Sequence, residues 1–319
     1  MPQAKQFPGG IHVPSLTFFK DDPAQEIDWE VQDRHFGYLI EAGVHGIIIA
    51  GSNGEAVALS TTEKTTLIQH ALAASQSANA KTKPTITLGL TGQTTHQVIA
   101  EARAAASAGA DFAMVLTPSY YRSAMDTPAI ISFFKEVADS SPIPVMAYNY
   151  PGVTAGLDLN ADILVELSRH ENIVGAKLTC GGIRKVPKVT LGADEGFAVL
   201  SGQIDWMGPA MEVGAKGGIT GLANLWPRAC VELYNLYKSE NRNEATELQL
   251  KVAASETACS KGGISGSKWF TAKLLGYPMS SSACRRPYPL FSDKKKQDEV
   301  LALAEKLRPI EEELVKRAK

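Results

Sequence analysis

The chain has 319 residues, 44% hydrophobic and 21% charged, with 32 basic against 34 acidic side chains. A formal net charge of -2 leaves no electrostatic footprint for nucleic acid or an anionic membrane. No apolar run reaches the roughly 18 residues of a membrane-spanning helix. What remains is a globular chain long enough for two domains, or for one α/β barrel.

Met1–Lys5 opens the chain without the apolar stretch of a secretory leader, and the last residues, Lys316-Arg317-Ala318-Lys319, match no retention or lipidation signal. Cys180, Cys230, Cys259 and Cys284 form no C-x-x-C pair and are too few for a disulfide framework. A reducing compartment follows, and the cytoplasm is the expected location.

From residue 11 onward, short apolar runs alternate with longer helical stretches. The runs are 11–16, 46–50, 85–89, 112–116, 144–148, 173–178, 197–201 and 217–221. They are rich in β-branched residues and do not alternate with polar ones, as expected of parallel strands covered on both faces. Between them, segments such as 94–108 and 161–169 carry apolar residues three and four apart, the spacing of an amphipathic helix. Gly43, Gly109 and Gly214 each stand where a helix should end in a left-handed cap before the next strand. Eight such units predict a closed (β/α)8 TIM barrel. The rival is a doubly wound open sheet, but no G-x-G-x-x-G follows the first run.

After Trp226 the alternation stops. Segments 228–239, 244–260, 267–275 and 298–316 read as helices, interrupted by a Gly/Ser/Pro-rich loop at 276–289. The expected organisation is a barrel over 1–240 with a C-terminal helical appendage over 241–319.

In such a barrel, chemistry sits at strand C-termini and in the loops after them. That rule selects Ser52-Asn53, Tyr120-Tyr121, Tyr148, Lys177, Gly202 and Asn224. Lys177 either turns to solvent at its strand end or is held in a partly desolvated mouth. In the second case it would lose proton affinity and become a nucleophile toward a carbonyl. Tyr148 ends the neighbouring run and is either a rim tyrosine or a proton shuttle. Gly51-Ser52-Asn53-Gly54-Glu55 is either a plain turn or an anion nest for a carboxylate. It is not a phosphate loop; Gly266-Ser267-Lys268 has the wrong order for one. The six histidines lack metal-ligand spacing, so neither a metal nor any other cofactor is expected. Cys180, three residues after Lys177, reads as an inert small residue.

Five ordered segments resemble the pyruvate-dependent class I aldolases, the dihydrodipicolinate synthase and N-acetylneuraminate lyase family. They are Gly51-Ser52-Asn53-Gly54-Glu55, Thr117-Pro118-Ser119-Tyr120-Tyr121, Tyr148-Asn149-Tyr150-Pro151, Val174-Gly175-Ala176-Lys177 and Gly218-Ile219-Thr220-Gly221. The resemblance runs from Gly10 to about Pro289. It implies that Lys177 forms an imine with a small-molecule 2-keto acid, that Tyr148 relays protons, and that Ser52, Asn53 and their amides hold the carboxylate. It further implies substrate contacts at Thr179, Gly202 and Ile219. Tyr120 would reach into a neighbouring subunit, hence a homo-oligomer, dimer or tetramer.

The synthase expects an arginine where this chain has Val153, and Leu178-Thr179 replaces the common Asp-Ser/Thr after the lysine. The Tyr-Asn-Tyr-Pro form is similar to that of 2-keto-3-deoxy sugar acid aldolases. Ser52-Asn53, Ser119-Tyr120-Tyr121-Arg122 and the loop holding Cys284-Arg285 resemble 4-hydroxy-2-oxoglutarate aldolases. The expected activity is release of pyruvate from a 2-keto-3-deoxy sugar acid, with 4-hydroxy-2-oxoglutarate cleavage second and a silent metabolite sensor as the reading outside enzymes. The substrate's tail is expected against Val153, Thr179, Gln203 and Asp205. Arg184 and Arg122 are the cations to watch for a tail that bears a carboxylate.

Overall fold

A computed structural model describes residues 6–78 and 83–318. Met1–Lys5 and Lys319, and with them the reading of the chain's extreme ends, lie outside the described residues. Eight strands close into one parallel barrel in chain order: β1 (Gly10–Pro14), β2 (Gly46–Ile49), β3 (Thr85–Leu90), β4 (Phe112–Leu116), β5 (Val145–Asn149), β6 (Ile173–Leu178), β7 (Ala198–Ser201) and β8 (Gly217–Ile219). Helices alternate with them: α1 (Trp29–Glu41), α2 (Thr61–Ser77), α3 (Thr95–Ala108), α4 (Thr127–Ser140), α5 (Ala161–Leu167), α6 (Lys185–Gly192), α7 (Met207–Glu212) and α8 (Pro227–Lys238). This is the (β/α)8 TIM barrel the sequence predicts.

The two strand faces explain the uninterrupted apolar runs. Ile48, Met114, Leu116, Met146, Tyr148, Leu200 and Ile219 fill the barrel interior as one cluster. Their chain neighbours Ile47, Ile49, Ala113, Val115, Val145 and Ala147 belong to the larger core shared with the helices. Neither face meets water, so neither needs polar residues. Asp28, Ser60, Thr94, Asp126 and Asn160 cap the first five helices by accepting from amides in their first turns. Gly109 ends α3 at φ 98°, a left-handed cap where an L side chain would be strained. Gly43 and Gly214 adopt positive φ as well.

Three helices follow: α9 (Arg242–Leu275), α10 (Lys294–Ala304) and α11 (Arg308–Ala318). The sequence predicts two helices across the first of these. The structure has two helical stretches there, meeting at a kink at Gly263 (φ 58°, ψ -158°), a conformation open essentially to glycine. By contrast, the single helix expected over 298–316 is two. Pro309 has no N–H for an interior helical bond and suits the first turn of a new helix, so α11 starts there. These helices are bonded into the barrel. Trp226 caps α8 without a side-chain bond, and the Glu311 carboxylate from α11 instead accepts from Arg228 N at 3.1 Å and Ala229 N at 2.8 Å. Trp226 Nε1 donates to Ala304 O at 2.7 Å.

Buried titratable groups shape the pH response. Burial lifts the Glu256 carboxyl to about 8, helped by the charge of Asp205 and opposed by a bond from Thr220. Burial lifts Glu311 to about 7, and lowers His35 to about 4 and His12 to about 3. For the two acids the folded chain holds protons the unfolded chain releases, so their contribution is full below about 4.5 and is lost as pH rises through 7 and 8. For the histidines the sign reverses, and stability is lost as pH falls from about 6.5 through 4 and 3. Thermal melts should therefore peak near pH 5–7 by this linkage. Glu256→Gln should flatten the loss of stability between about pH 4.5 and pH 8. An unchanged slope over that range in the variant would contradict this assignment.

Candidate active site

Lys177 lies near the end of β6 and Tyr148 near the end of β5, and the two are register partners. The pairing depends on an irregularity. Val145 faces Ile173, but Met146 faces Gly175, so β6 carries one extra residue, Val174, before the shared register resumes. Lys177 is 2% exposed and Tyr148 3% exposed, so the lysine is enclosed and not turned to solvent, and the tyrosine is buried beside it. The Lys177 ammonium stands 4.1 Å from the centroid of the Tyr148 ring. Tyr148 in turn pairs with Leu116, and Lys177 with Leu200.

A cavity of about 240 Å³ lies among the loops that follow β2, β3, β4 and β5. Ser52, Leu116, Thr117, Ser119 and Val153 contribute to its wall. Lys177 and Tyr148 do not line it; Leu116 does, and through Leu116 the cavity adjoins them. Ser52 and Asn53 open a short 3-10 turn (Ser52–Gly54), whose first amides have no acceptor within the turn. Asn53 lies against Gly221 after β8: a Cβ added there would fall 2.7 Å from Asn53 Nδ2. Ile219 is fully buried inside the barrel with Tyr148. Thr179 and Gly202 lie side by side beyond β6 and β7, with Gly202 N donating to Leu178 O at 2.7 Å.

Other expected positions lie elsewhere. Tyr120 is 80% exposed, packs edge-on to Tyr121 with ring centres 5.0 Å apart, and is not part of the cavity wall. The amides of Ser119 and Tyr120 donate to Gln93 Oε1 at 2.9 and 3.0 Å, which fixes that loop. Of the residues expected around the tail, only Val153 lines the cavity. Gln203 instead accepts from Trp206 Nε1, and burial raises the Asp205 carboxyl above its usual range. The cavity draws on residues the sequence did not single out: Thr91 and Gln93 after β3, Ile264 from α9 and Tyr288 from the C-terminal loop. The last two are more than a hundred residues from Val153, and no local pattern marks them.

Among the described residues no lysine or arginine lines the cavity, and the one charged wall residue is Glu55. Glu55 accepts from Lys268 Nζ at 2.8 Å and Arg285 N at 2.9 Å. Arg285 is committed as well: its guanidinium donates to Glu63 at 2.6 and 3.1 Å and to the carbonyls of Gln25 and Ala58. Burial pushes the Glu63 carboxyl up, yet its bonds from Arg285 and Ser60 outweigh this and hold it below the usual range. Arg122 sits on an outer 3-10 turn and Arg184 at the start of α6, neither in the cavity wall. Among the described residues, no cluster of His, Cys, Asp or Glu could hold a metal ion. No helix among them is long and apolar enough to cross a membrane.

The chain matches the dihydrodipicolinate synthetase family over residues 8–307. It is 39% identical over 271 residues, 84% of this chain and 86% of the other, to an Emericella nidulans protein described as "Probable 4-hydroxy-2-oxoglutarate aldolase, mitochondrial". It is 36% identical over 278 residues, 85% and 88% of the two chains, to a Hypocrea jecorina L-threo-3-deoxy-hexylosonate aldolase. The crystal structure of a dihydrodipicolinate synthase family protein from Coccidioides immitis superposes with a TM-score of 0.86 at 33% identity, covering 98% of this chain and 99% of that one.

The close fit beside Lys177 is testable at Gly202. A Cβ there would lie 2.0 Å from Thr179 Oγ1 and 2.7 Å from Leu178 O. Gly202→Ala should cost about 1–3 kcal/mol through overpacking, read as a lower Tm. A melt identical to that of the parent would mean the mouth has slack the distances deny.

Proposed function

The chain belongs to the dihydrodipicolinate synthetase family as a pyruvate-dependent aldolase, a carbon–carbon lyase, and on that premise we propose that its substrate is a 2-keto-3-deoxy sugar acid. In this reading the Lys177 amine attacks C2 of the keto acid, and loss of water leaves a protonated imine. The C4 hydroxyl then gives up its proton, the C3–C4 bond breaks and the aldehyde departs. The bonding pair passes into the imine as an enamine. C3 takes a proton, and water hydrolyses the restored imine to pyruvate and free lysine. The ring contact of 4.1 Å places Tyr148 beside the amine, and in this reading its hydroxyl relays the protons. The open amides at Ser52 and Asn53 suit the carboxylate, and Thr179, Gly202 and Ile219 border the substrate carbons.

One observation carries the choice of substrate: among the described residues the cavity wall holds no cation. A neutral hydroxyaldehyde tail needs none, whereas the second carboxylate of 4-hydroxy-2-oxoglutarate would enter the cavity unpaired. The 39% identical relative's description favours that second reading. We further propose that a second copy of the chain covers Tyr120 and Tyr121, making a homo-oligomer in which Tyr120 completes the relay across subunits. The free thiols suit a reducing compartment, and we retain the cytoplasm for fractionation to test against the mitochondrion that the Emericella relative's description names. In this reading the lysine imine is the electron sink and no metal takes part, so dialysis against EDTA should leave activity intact.

Pyruvate with borohydride should leave a covalent adduct on Lys177. Lys177→Ala should abolish turnover with the fold intact, and Tyr148→Phe should lower kcat by about 10²–10⁴. An adduct on another lysine would refute the assignment. In a substrate panel, kcat/KM should be higher for a 2-keto-3-deoxy hexonate than for 4-hydroxy-2-oxoglutarate. Val153→Arg should move that ratio toward the dicarboxylate by about tenfold or more, the scale of one charge-assisted contact. Preference of the unmodified chain for 4-hydroxy-2-oxoglutarate would favour the second reading.

A further inference from the structure

We propose that Lys268, acting through Glu55, is a positioning residue for the turn that receives the substrate carboxylate; the inference rests on the imine reading above. Glu55 ends the Ser52–Gly54 turn in the left-handed conformation, at φ 57° and ψ 43°. An L side chain avoids that region unless its surroundings hold it there. The Glu55 amide closes the turn by donating to Ser52 O at 3.2 Å, and the Gly54 carbonyl accepts from Thr17 Oγ1 at 2.8 Å. Any shift of Glu55 therefore passes directly to Ser52 and Asn53.

Both Glu55 carboxylate oxygens are bonded from the C-terminal region. Oε1 takes a bond from Lys268 Nζ at 2.8 Å and Oε2 one from Arg285 N at 2.9 Å. The Lys268 side chain is wholly buried and that of Glu55 1% exposed. The same ammonium donates to Ala283 O at 2.6 Å and stands 4.5 Å from the centre of the Phe19 ring. One cation thus joins α9, the loop after it, the β1–α1 loop and the turn after β2. An apolar pair of equal volume would fill this space without the desolvation cost of two charges. What the ion pair adds is direction, because Glu55 can be satisfied in one place only.

The test uses the full chain with pyruvate and borohydride, scoring adduct on Lys177 against pyruvate concentration in Lys268→Met and in the double variant Lys268→Met/Glu55→Gln. The double variant removes both charges and keeps the shapes, so it remains informative if the single variant fails to fold. Half-saturating pyruvate should rise about tenfold or more while the maximal trapping rate changes by less than about threefold, the pattern of lost ground-state binding. Residue 268 would be merely structural if a folded double variant melted lower but kept the parent's half-saturation. Failure of the double variant to fold would also overturn the inference, since the pair would then be holding the whole fold. Absence of a Lys177 adduct in the unmodified chain would defeat the imine reading itself, a result distinct from both.

Discussion

Closing eight parallel strands into a barrel leaves each strand residue only two directions, inward to the other strands or outward to the helices, and the site depends on that choice. Tyr148 and Lys177 must both point inward and at the same height. Had β5 and β6 continued in the register set by Val145 and Ile173, Tyr148 would face Ala176, whose side chain belongs to the outer core. The extra residue at Val174 corrects this and brings Lys177 level with Tyr148. Gly175 below the lysine keeps the approach open, since a Cβ there would fall 2.4 Å from Ala198 O and 3.2 Å from the end of Met146. A bulge beside a reactive group, re-aiming a side chain, is a recurring use of such irregularities.

What could be read from residues alone divides along the same physical line. The strands, their order and the closure follow from short doubly buried apolar runs and from glycine at Gly43, Gly109 and Gly214, because these are local and periodic signals. That Lys177 and Tyr148 belong at the mouth follows from their places at strand ends. That they meet does not, because a bulge has no signature in either strand's sequence. The cavity walls were hidden for another reason. Ile264 and Tyr288 arrive from helical and loop segments whose own patterns describe packing along α9 and say nothing of the far end of the barrel. Lys268 was visible only as part of a phosphate motif in the wrong order, although a lysine beside Trp269 and Phe270 on an apolar helix face could have prompted a search for a buried partner.

The C-terminal helices consequently do more than cover the barrel. Glu311 supplies the cap that α8 lacks, Ala304 takes the Trp226 indole bond, and Lys268 and Arg285 together fix the loop after β2. That loop runs only from Ala50 to Ser60, too short to be ordered by a core of its own, so its geometry has to be imposed from outside. Removing any one of these contacts would leave buried donors or acceptors unmatched, which is costlier than never having built them.

This division of labour bears on which substrate the mouth can take. The Cys284-Arg285 segment resembles 4-hydroxy-2-oxoglutarate aldolases, and an arginine so close to the mouth invites the role of a second carboxylate's partner. Its guanidinium, however, is already shared among Glu63, Gln25 and Ala58, and its ring contact with Phe19 at 4.4 Å fixes the plane. Turning it into the cavity would leave the Glu63 carboxylate with its Ser60 bonds alone and take the guanidinium from the Gln25 and Ala58 carbonyls, a loss that one new ion pair on a substrate would have to exceed. A resemblance carried by Arg285 therefore speaks for the clamp on the loop after β2 and not for a dicarboxylate. On the proposed reading, discrimination would fall to the wall that remains, Thr117, Ser119 and Val153, where among the described residues no cation stands to pair a second carboxylate.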